Sequence, residues 1–152
     1  MAERSDPRAG RIVVGVDGSD ASKDALAWAA RQAELTGASI QVVTAWHVPM
    51  AAYSAAVSVP TGYEFEQQAR KVLDATIVAV LGDQPNVQVT TSVVEGHPAP
   101  ELLAAAAAAE LLVVGSRGHG AFTGMLLGSV SEHCVTHAPC PVVVVRHSPQ
   151  PA

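Results

Sequence analysis

The chain has 152 residues, of which 49% are hydrophobic and 15% are charged, and this balance excludes an intrinsically disordered protein. The net charge of −5 excludes a broad nucleic-acid surface, because such a surface needs clustered Lys and Arg. No apolar run is long enough to span a bilayer, and two cysteines make no disulfide framework. We therefore expect a soluble cytoplasmic protein without nucleic-acid or membrane partners.

The N-terminal half begins with a polar stretch, residues 1–10, that predicts a flexible leader. Arg11–Val16 (RIVVGV) is a β-branched run typical of a strand buried on both faces. A helix is predicted from Ser19 or Asp20 to Leu35, with Ser19 as its N-cap and Gly37 just beyond its end. Ser39–Ala45 predicts the second strand. The segment Trp46–Gly62 has no clear period and predicts a long loop.

The second half continues the alternation of helix and strand. Tyr63–Leu81 predicts a helix, and Val87–Val94 predicts a strand near the edge of the sheet. Pro98 or Pro100 opens a third helix that we extend through the alanine run to Ala109. Leu111–Val114 predicts the fourth strand.

The C-terminal segment begins with a loop from Ser116 to about Leu127. A last helix starts near Gly128 and Ser129, and Val142–Val145 (VVVV) predicts the last strand, before a tail at residues 148–152. Strands that alternate with helices at this spacing predict a parallel sheet with helices on both faces. The fold class is therefore α/β, a three-layer, Rossmann-like sandwich with a five-stranded parallel sheet, in one domain over residues 11–147.

Two segments at the carboxyl ends of predicted strands differ from ordinary connections. In an open parallel sheet, ligands bind at this edge, near the point where the strand order reverses. Glycines there allow close approach of a ligand, and the free N–H groups of the last helix favour phosphate oxygens. Taken singly, the glycines could be ordinary turn residues and the serine an ordinary N-cap. Because the glycines and the serine fall in one strand-loop-helix unit, an anion site is favoured. The segments are Gly15-Val16-Asp17 and Gly115-Ser116-Arg117-Gly118, and the helix start is Gly128-Ser129-Val130-Ser131.

Charge and spacing narrow the type of site. Arg117 is the single Lys or Arg between Val72 and Val145, and it lies in the glycine-rich loop. It could pair with a bound anion, and a solvated loop arginine is the alternative. The chain has no GxxxxGK[ST] segment, which excludes a P-loop NTPase, and it lacks a GxGxxG after the first strand. Asp17 follows a strand and has two possible roles, accepting hydrogen bonds from a ribose or closing an Asx turn.

The spacing Gly115-x2-Gly118-x9-Gly128-Ser129 resembles the G-x2-G-x9-G-[S/T] pattern of the ATP-binding branch of the universal stress protein family. The flanking segments IVVGVDGSDAS, LLVVGSRGHG and LLGSVSEHCVTHAPCPVVVV agree with a single-domain member. The resemblance implies a cytoplasmic homodimer that pairs through Val142–Val145. It also implies ATP as ligand, with Mg²⁺ bridging its phosphates.

The resemblance also implies a role for each site residue. Asp17 would hold the ribose, and the main chain near Gly15, Val16, Ala45 and Trp46 would contact adenine. Val114, Gly115, Arg117 and Gly118 would line the ribose and phosphates. The phosphate oxygens would be held by Gly128, Ser129, Val130 and Ser131.

Two groups of residues remain outside this pattern. His133 and His137, with Cys134 and Cys140 nearby, suggest zinc, but a structural site needs four well-spaced ligands, and we expect a solvated or dimer-facing pair. His119 in the glycine-rich loop stays unassigned.

Two classes of function follow from these features. The first is a regulatory protein that holds ATP and signals through a dimer to unidentified protein partners, and the resemblance alone implies that it acts in a stress response. The second is an enzyme, either a slow ATPase or a phosphotransferase that autophosphorylates at Ser129 or Ser131. The first is favoured, because the sequence shows no water-positioning carboxylate or catalytic triad. A cyclic AMP-binding module also stays open.

Overall fold

The computed structural model describes residues 10–50, 62–119 and 126–147. Within these ranges, strands and helices alternate along the chain. The strands are β1 (Arg11–Gly15), β2 (Ser39–Trp46), β3 (Val89–Glu95), β4 (Leu111–Gly115) and β5 (Val142–Val145). The helices are α1 (Asp20–Thr36), α2 (Gly62–Leu81), α3 (Pro98–Ala106) and α4 (Ser129–His137).

All five strands are parallel and lie in the order β3-β2-β1-β4-β5, which confirms the predicted five-stranded parallel sheet. The chain first moves from β1 outward to β2 and β3, and then returns to place β4 on the other side of β1. The strand order therefore reverses between β1 and β4. At such a point the two following loops separate and leave a crevice beyond the carboxyl ends of the strands.

Helices cover both faces of the sheet and make three layers. Helices α1 and α2 pack on one face, and α3 and α4 pack on the other. Side chains along β1 alternate between the two cores: Ile12 and Val14 join the α1 and α2 side, and Val13 joins the α3 and α4 side. All three are at most 2% exposed. The strand is buried on both faces, as its β-branched run predicts.

The ends of α1 follow local sequence signals. The Ser19 hydroxyl accepts a hydrogen bond from the Ser22 N–H at 3.3 Å, so Ser19 is the N-cap. Gly37 ends the helix in the left-handed conformation with φ 76°, and its N–H donates to the Ala33 carbonyl. Both predictions are confirmed, because each depends on residues within four positions along the chain.

Two element boundaries differ from the prediction. Helix α3 ends at Ala106, and the next three residues form tighter turns in which each N–H bonds to the carbonyl three residues earlier. Alanine favours helix, but the chain must turn here into β4, where the Glu110 N–H donates to the Arg11 carbonyl at 2.9 Å. Strand β3 begins at Val89, two residues later than predicted, and lies at a sheet edge as expected.

Some predicted segments lie wholly or partly outside the described residues. They are the leader and the tail, residues 51–61 of the predicted loop between β2 and α2, and residues 120–125 of the glycine-rich loop. Among the helices that are described, none has the length and apolar content to cross a membrane.

Candidate functional site

A cavity of about 330 Å³ opens at the carboxyl ends of β1, β2 and β4, where the strand order reverses. Its volume lies in the range of small-molecule sites. Except for Trp46, the site residues predicted from the sequence line it, although they come from four separate segments of the chain. They are Gly15, Val16, Asp17, Ala45, Val114, Gly115, Arg117, Gly118, Gly128, Ser129, Val130 and Ser131.

Two glycines let the main chain approach its neighbours closely. A Cβ atom on Gly115 would lie 2.8–2.9 Å from the main chain and Cβ of Ala21, so β4 packs directly against the first turn of α1. A Cβ atom on Gly118 would collide with Oδ2 of Asp17. Gly115 is therefore required by close packing against main chain, whereas a side chain at Gly118 would displace the Asp17 carboxylate.

Asp17 connects the two loops that flank the cavity. Its Oδ1 accepts hydrogen bonds from the Ser19 N–H at 2.9 Å and from the Ser19 hydroxyl, which closes an Asx turn. Its Oδ2 accepts from the His119 N–H at 3.2 Å, across 102 positions of sequence. Burial by itself would raise the pKa of the Asp17 carboxyl, but the hydrogen bonds from Ser19 and His119 outweigh it and lower the pKa below its ordinary value.

Helix α4 begins at the cavity with an open first turn. Its N-cap is Gly128, which has no side chain to cap the helix, and the Gly128 N–H donates to the Ser116 carbonyl at 2.7 Å. The first bond of the helix runs from the Glu132 N–H to the Gly128 carbonyl at 2.9 Å. The intervening N–H groups, of Ser129, Val130 and Ser131, have no carbonyl one helical turn before them and lie at the positive end of the helix dipole.

The two serines of this turn differ in their surroundings. Ser131 is 2% exposed, and its hydroxyl lies 2.8 Å from the Ser116 carbonyl and 3.0 Å from the Gly128 carbonyl. The Ser131 hydroxyl therefore anchors the loop that follows β4 to the start of α4. This differs from the expectation that Ser131 holds phosphate oxygens. Ser129 is exposed at the helix start, where its hydroxyl is accessible.

The cavity also contains residues that the sequence analysis did not assign to the site. An apolar wall is formed by Val43 of β2 with Pro98 and Leu102 of α3, and a Cβ atom on Gly15 would meet Leu102 at 2.8 Å. These residues belong to ordinary strand and helix patterns, so no local signal marks them. The remaining lining residues are Ser19, Ser22 and His119.

The charge on the described lining is small. Arg117 is the single Lys or Arg there, and Asp17 is the single carboxylate. No group of three or more His, Cys, Asp or Glu side chains in the described part of the chain could hold a metal ion. An anionic ligand would meet one guanidinium, the helix N–H groups and an apolar wall.

The fold and this cavity define an α/β domain with a crevice of the small-molecule-binding type at the strand-order reversal. Residues 9–146 match the family model described as the universal stress protein family. A curated relative, universal stress protein Rv2005c of Mycobacterium tuberculosis, is 38% identical over 146 residues, which cover 94% of this chain and 48% of the relative. The chain belongs to the universal stress protein family, and it spans about half the length of the curated relatives that it matches.

Two solved structures extend the comparison. A universal stress protein in complex with cAMP is 28% identical, with a TM-score of 0.59 and coverage of 91% of this chain and 97% of that one. A universal stress protein family protein from Arabidopsis thaliana with AMP bound is 18% identical, with a TM-score of 0.56 and coverage of 91% of each chain. The second likeness is one of fold.

Proposed function

We propose that the chain is a cytoplasmic stress-response protein that binds an adenine nucleotide, ATP with Mg²⁺, in the cavity at the ends of β1, β2 and β4. The observation that carries this proposal is the meeting of an open helix N-terminus, a glycine-rich loop and an apolar wall around one cavity. The related universal stress protein in complex with cAMP supports an adenine nucleotide as the ligand class.

The cavity suits the two halves of a nucleotide. The apolar wall of Val43, Pro98 and Leu102 would pack against the adenine ring, beside the main chain at Ala45. At the other end, the N–H groups of the first turn of α4 and the Arg117 guanidinium would hold phosphate oxygens. Asp17 lies between the two ends. The Asp17 oxygens already accept hydrogen bonds from Ser19 and His119, and a ribose hydroxyl would join or displace these donors.

The remaining roles follow from the same site. Gly15, Val16, Val114, Gly115 and Gly118 would approach the nucleotide through their main chain. Mg²⁺ prefers oxygen ligands and keeps several waters, so it would be held through the phosphates. The weak positive charge of the lining makes this ion important, because one arginine does not balance a triphosphate.

A second copy of the chain is the proposed partner for signalling. Strand β5 pairs with β4 on one side and lies at the edge of the sheet, and its four valines are half-buried. An apolar edge strand invites pairing with another strand. We propose that Val142–Val145 forms a homodimer and that nucleotide binding changes the surface this dimer presents to protein partners.

A cAMP-binding module is the second candidate. The single guanidinium in the described lining favours it, because a cyclic monophosphate carries one negative charge. Slow ATP hydrolysis or autophosphorylation at Ser129 is a weaker candidate. The one carboxylate of the lining already accepts hydrogen bonds from Ser19 and His119, and it is poorly placed to orient an attacking water.

The test begins with protein purified without added nucleotide. The protein is denatured, and any released ligand is identified by mass spectrometry. Calorimetric titration of the nucleotide-free protein then compares ATP with and without Mg²⁺, AMP and cAMP. We expect ATP to bind with Mg²⁺ and to lose affinity without it, whereas preference for cAMP without Mg²⁺ would select the second candidate.

The matched variants are Gly128→Val and Gly62→Val. A Cβ atom at Gly128 would have its nearest neighbours at 3.4–3.7 Å, and one at Gly62 would have them at 3.6–3.8 Å. Both positions therefore admit a Cβ atom, but of the two only Gly128 lines the cavity. We expect binding to be lost in Gly128→Val and kept in Gly62→Val. Absence of binding to well-folded wild type would refute the proposed function.

A further inference from the structure

Two exposed histidines lie together on the outer side of α4, away from the cavity. His133 and His137 are four residues apart, so they are neighbours on one face of the helix. Their ring centroids are 4.6 Å apart, and the ring planes are tilted by 48°. The nucleotide site uses neither residue.

The ring separation suits two ligands on one metal ion. A ring nitrogen binds a transition metal at about 2.0–2.1 Å, which puts the ring centroid about 3.2 Å from the ion. Two centroids at 4.6 Å then subtend an angle of about 90° at the ion. That angle fits neighbouring positions of an octahedral or square-planar ion better than the wider angle of a tetrahedral one.

The electrostatic setting also favours a cation. His137 ends α4, where the free carbonyl groups carry the negative end of the helix dipole. Helix α4 contains Glu132 and no Lys or Arg.

The cysteine between the two histidines takes no part. Cys134 is fully buried in the core below α4, so its thiol does not reach an ion on the exposed face of the helix. The described residues bring no third His, Cys, Asp or Glu to the pair. The two imidazoles would therefore act as a bidentate ligand, with water completing the coordination.

We propose that His133 and His137 form a surface site for a divalent transition-metal ion of the Ni²⁺ or Cu²⁺ type. Such ions take imidazole ligands and accept an angle near 90° between two of them. The site is independent of the nucleotide cavity, and its test does not depend on nucleotide binding.

A second histidine pair supplies an internal comparison. His47 and His97 have ring centroids 4.5 Å apart and are tilted by 44°, so their ring geometry is similar. However, His97 is the N-cap of α3, where the positive end of the helix dipole disfavours a cation, and the two residues belong to different elements. We expect this pair to bind the ion more weakly.

The experiment is calorimetric titration of the full chain, free of any affinity tag and with reduced thiols, with Ni²⁺. We expect one tight equivalent per chain. His133→Gln or His137→Gln should each weaken it by about tenfold or more, because losing one of two linked ligands removes the chelate advantage. The double variant His47→Gln, His97→Gln should change the affinity by less than about twofold.

A spacing variant separates chelation from the number of histidines. His137→Val combined with Val135→His keeps the composition of α4 but puts the rings two residues apart, on different sides of the helix. Val135 is 50% exposed and accepts a polar side chain. We expect this variant to lose the tight equivalent while its circular dichroism stays unchanged. Tight Ni²⁺ binding in the spacing variant would overturn the proposal. Loss of tight Ni²⁺ binding in the His47 and His97 double variant, with binding kept in the His133 and His137 variants, would also overturn it.

Discussion

The contact between Gly118 and Asp17 gives the sharpest test of how the two loops fit together. A Cβ atom on Gly118 would lie too close to Asp17 Oδ2 for the carboxylate to keep its place. Gly118 is not among the glycines with positive φ, so alanine suits its main-chain conformation. The effect of Gly118→Ala therefore reports the collision with the carboxylate.

The size of the effect follows from what holds Asp17 in place. To make room, the carboxylate must leave the Ser19 N–H at 2.9 Å and the His119 N–H at 3.2 Å. A net loss of about 0.5–1.5 kcal/mol for each hydrogen bond gives about 1–3 kcal/mol in total. Overpacking by one methyl group costs a similar amount, about 1–3 kcal/mol. We expect Gly118→Ala to lower the free energy of unfolding by about 2 kcal/mol.

A double-mutant cycle with Asp17→Ala isolates this contact. With the carboxylate gone, Gly118→Ala should cost less than about 0.5 kcal/mol, which leaves a coupling energy of about 1.5 kcal/mol. Urea unfolding followed by tryptophan fluorescence and circular dichroism measures all four proteins. If Gly118→Ala costs the same with and without the carboxylate, the proposed collision is wrong.

Three further predictions concern the same region. The pKa of Asp17 is lowered in the folded chain, so its hydrogen bonds stabilise the fold fully above the ordinary Asp pKa of about 3.9, and this stability is lost as the pH falls through the folded value. Urea titrations between about pH 6 and pH 3 should therefore show a steeper loss of stability in wild type than in Asp17→Asn, and parallel curves would contradict this. Gly115→Ala should lower the unfolding free energy by about 1–3 kcal/mol in urea titrations, because its methyl group meets the main chain of Ala21, and a neutral result would show that α1 can shift. Leu102→Ala removes a side chain that is 4% exposed and should cost about 2–4 kcal/mol in the same assay, whereas a cost below about 1 kcal/mol would mean that the apolar wall collapses into the gap.

Much of the fold is local in origin and could be predicted from the sequence. The β-branched run of β1, the Ser19 cap and Gly37 each act over a few residues, so their effects can be read without knowing the rest of the chain. The parallel sheet follows from the alternation of strands and helices. The cavity position follows in turn, because the carboxyl ends of parallel strands share one edge of the sheet, and the glycines and serines there carry a recognisable spacing.

Other features depend on residues that only folding brings together. The hydrogen bond from the His119 N–H to Asp17 and the contact of Leu102 with Gly15 join segments 102 and 87 positions apart in sequence. Nothing near either partner indicates the other. The Ser131 hydroxyl anchors the loop through Ser116, because burial makes an unpaired hydroxyl costly and the nearest carbonyls satisfy it.

The end of α3 shows the same division between local and distant causes. Alanine preference alone continues the helix, but the start of β4 beside β1 ends it at Ala106. Local preferences along the chain are therefore enough to predict which of the described segments form strands and helices. Where α3 stops and which side chains meet across the cavity depend on packing between distant parts of the chain, and only the folded structure shows them.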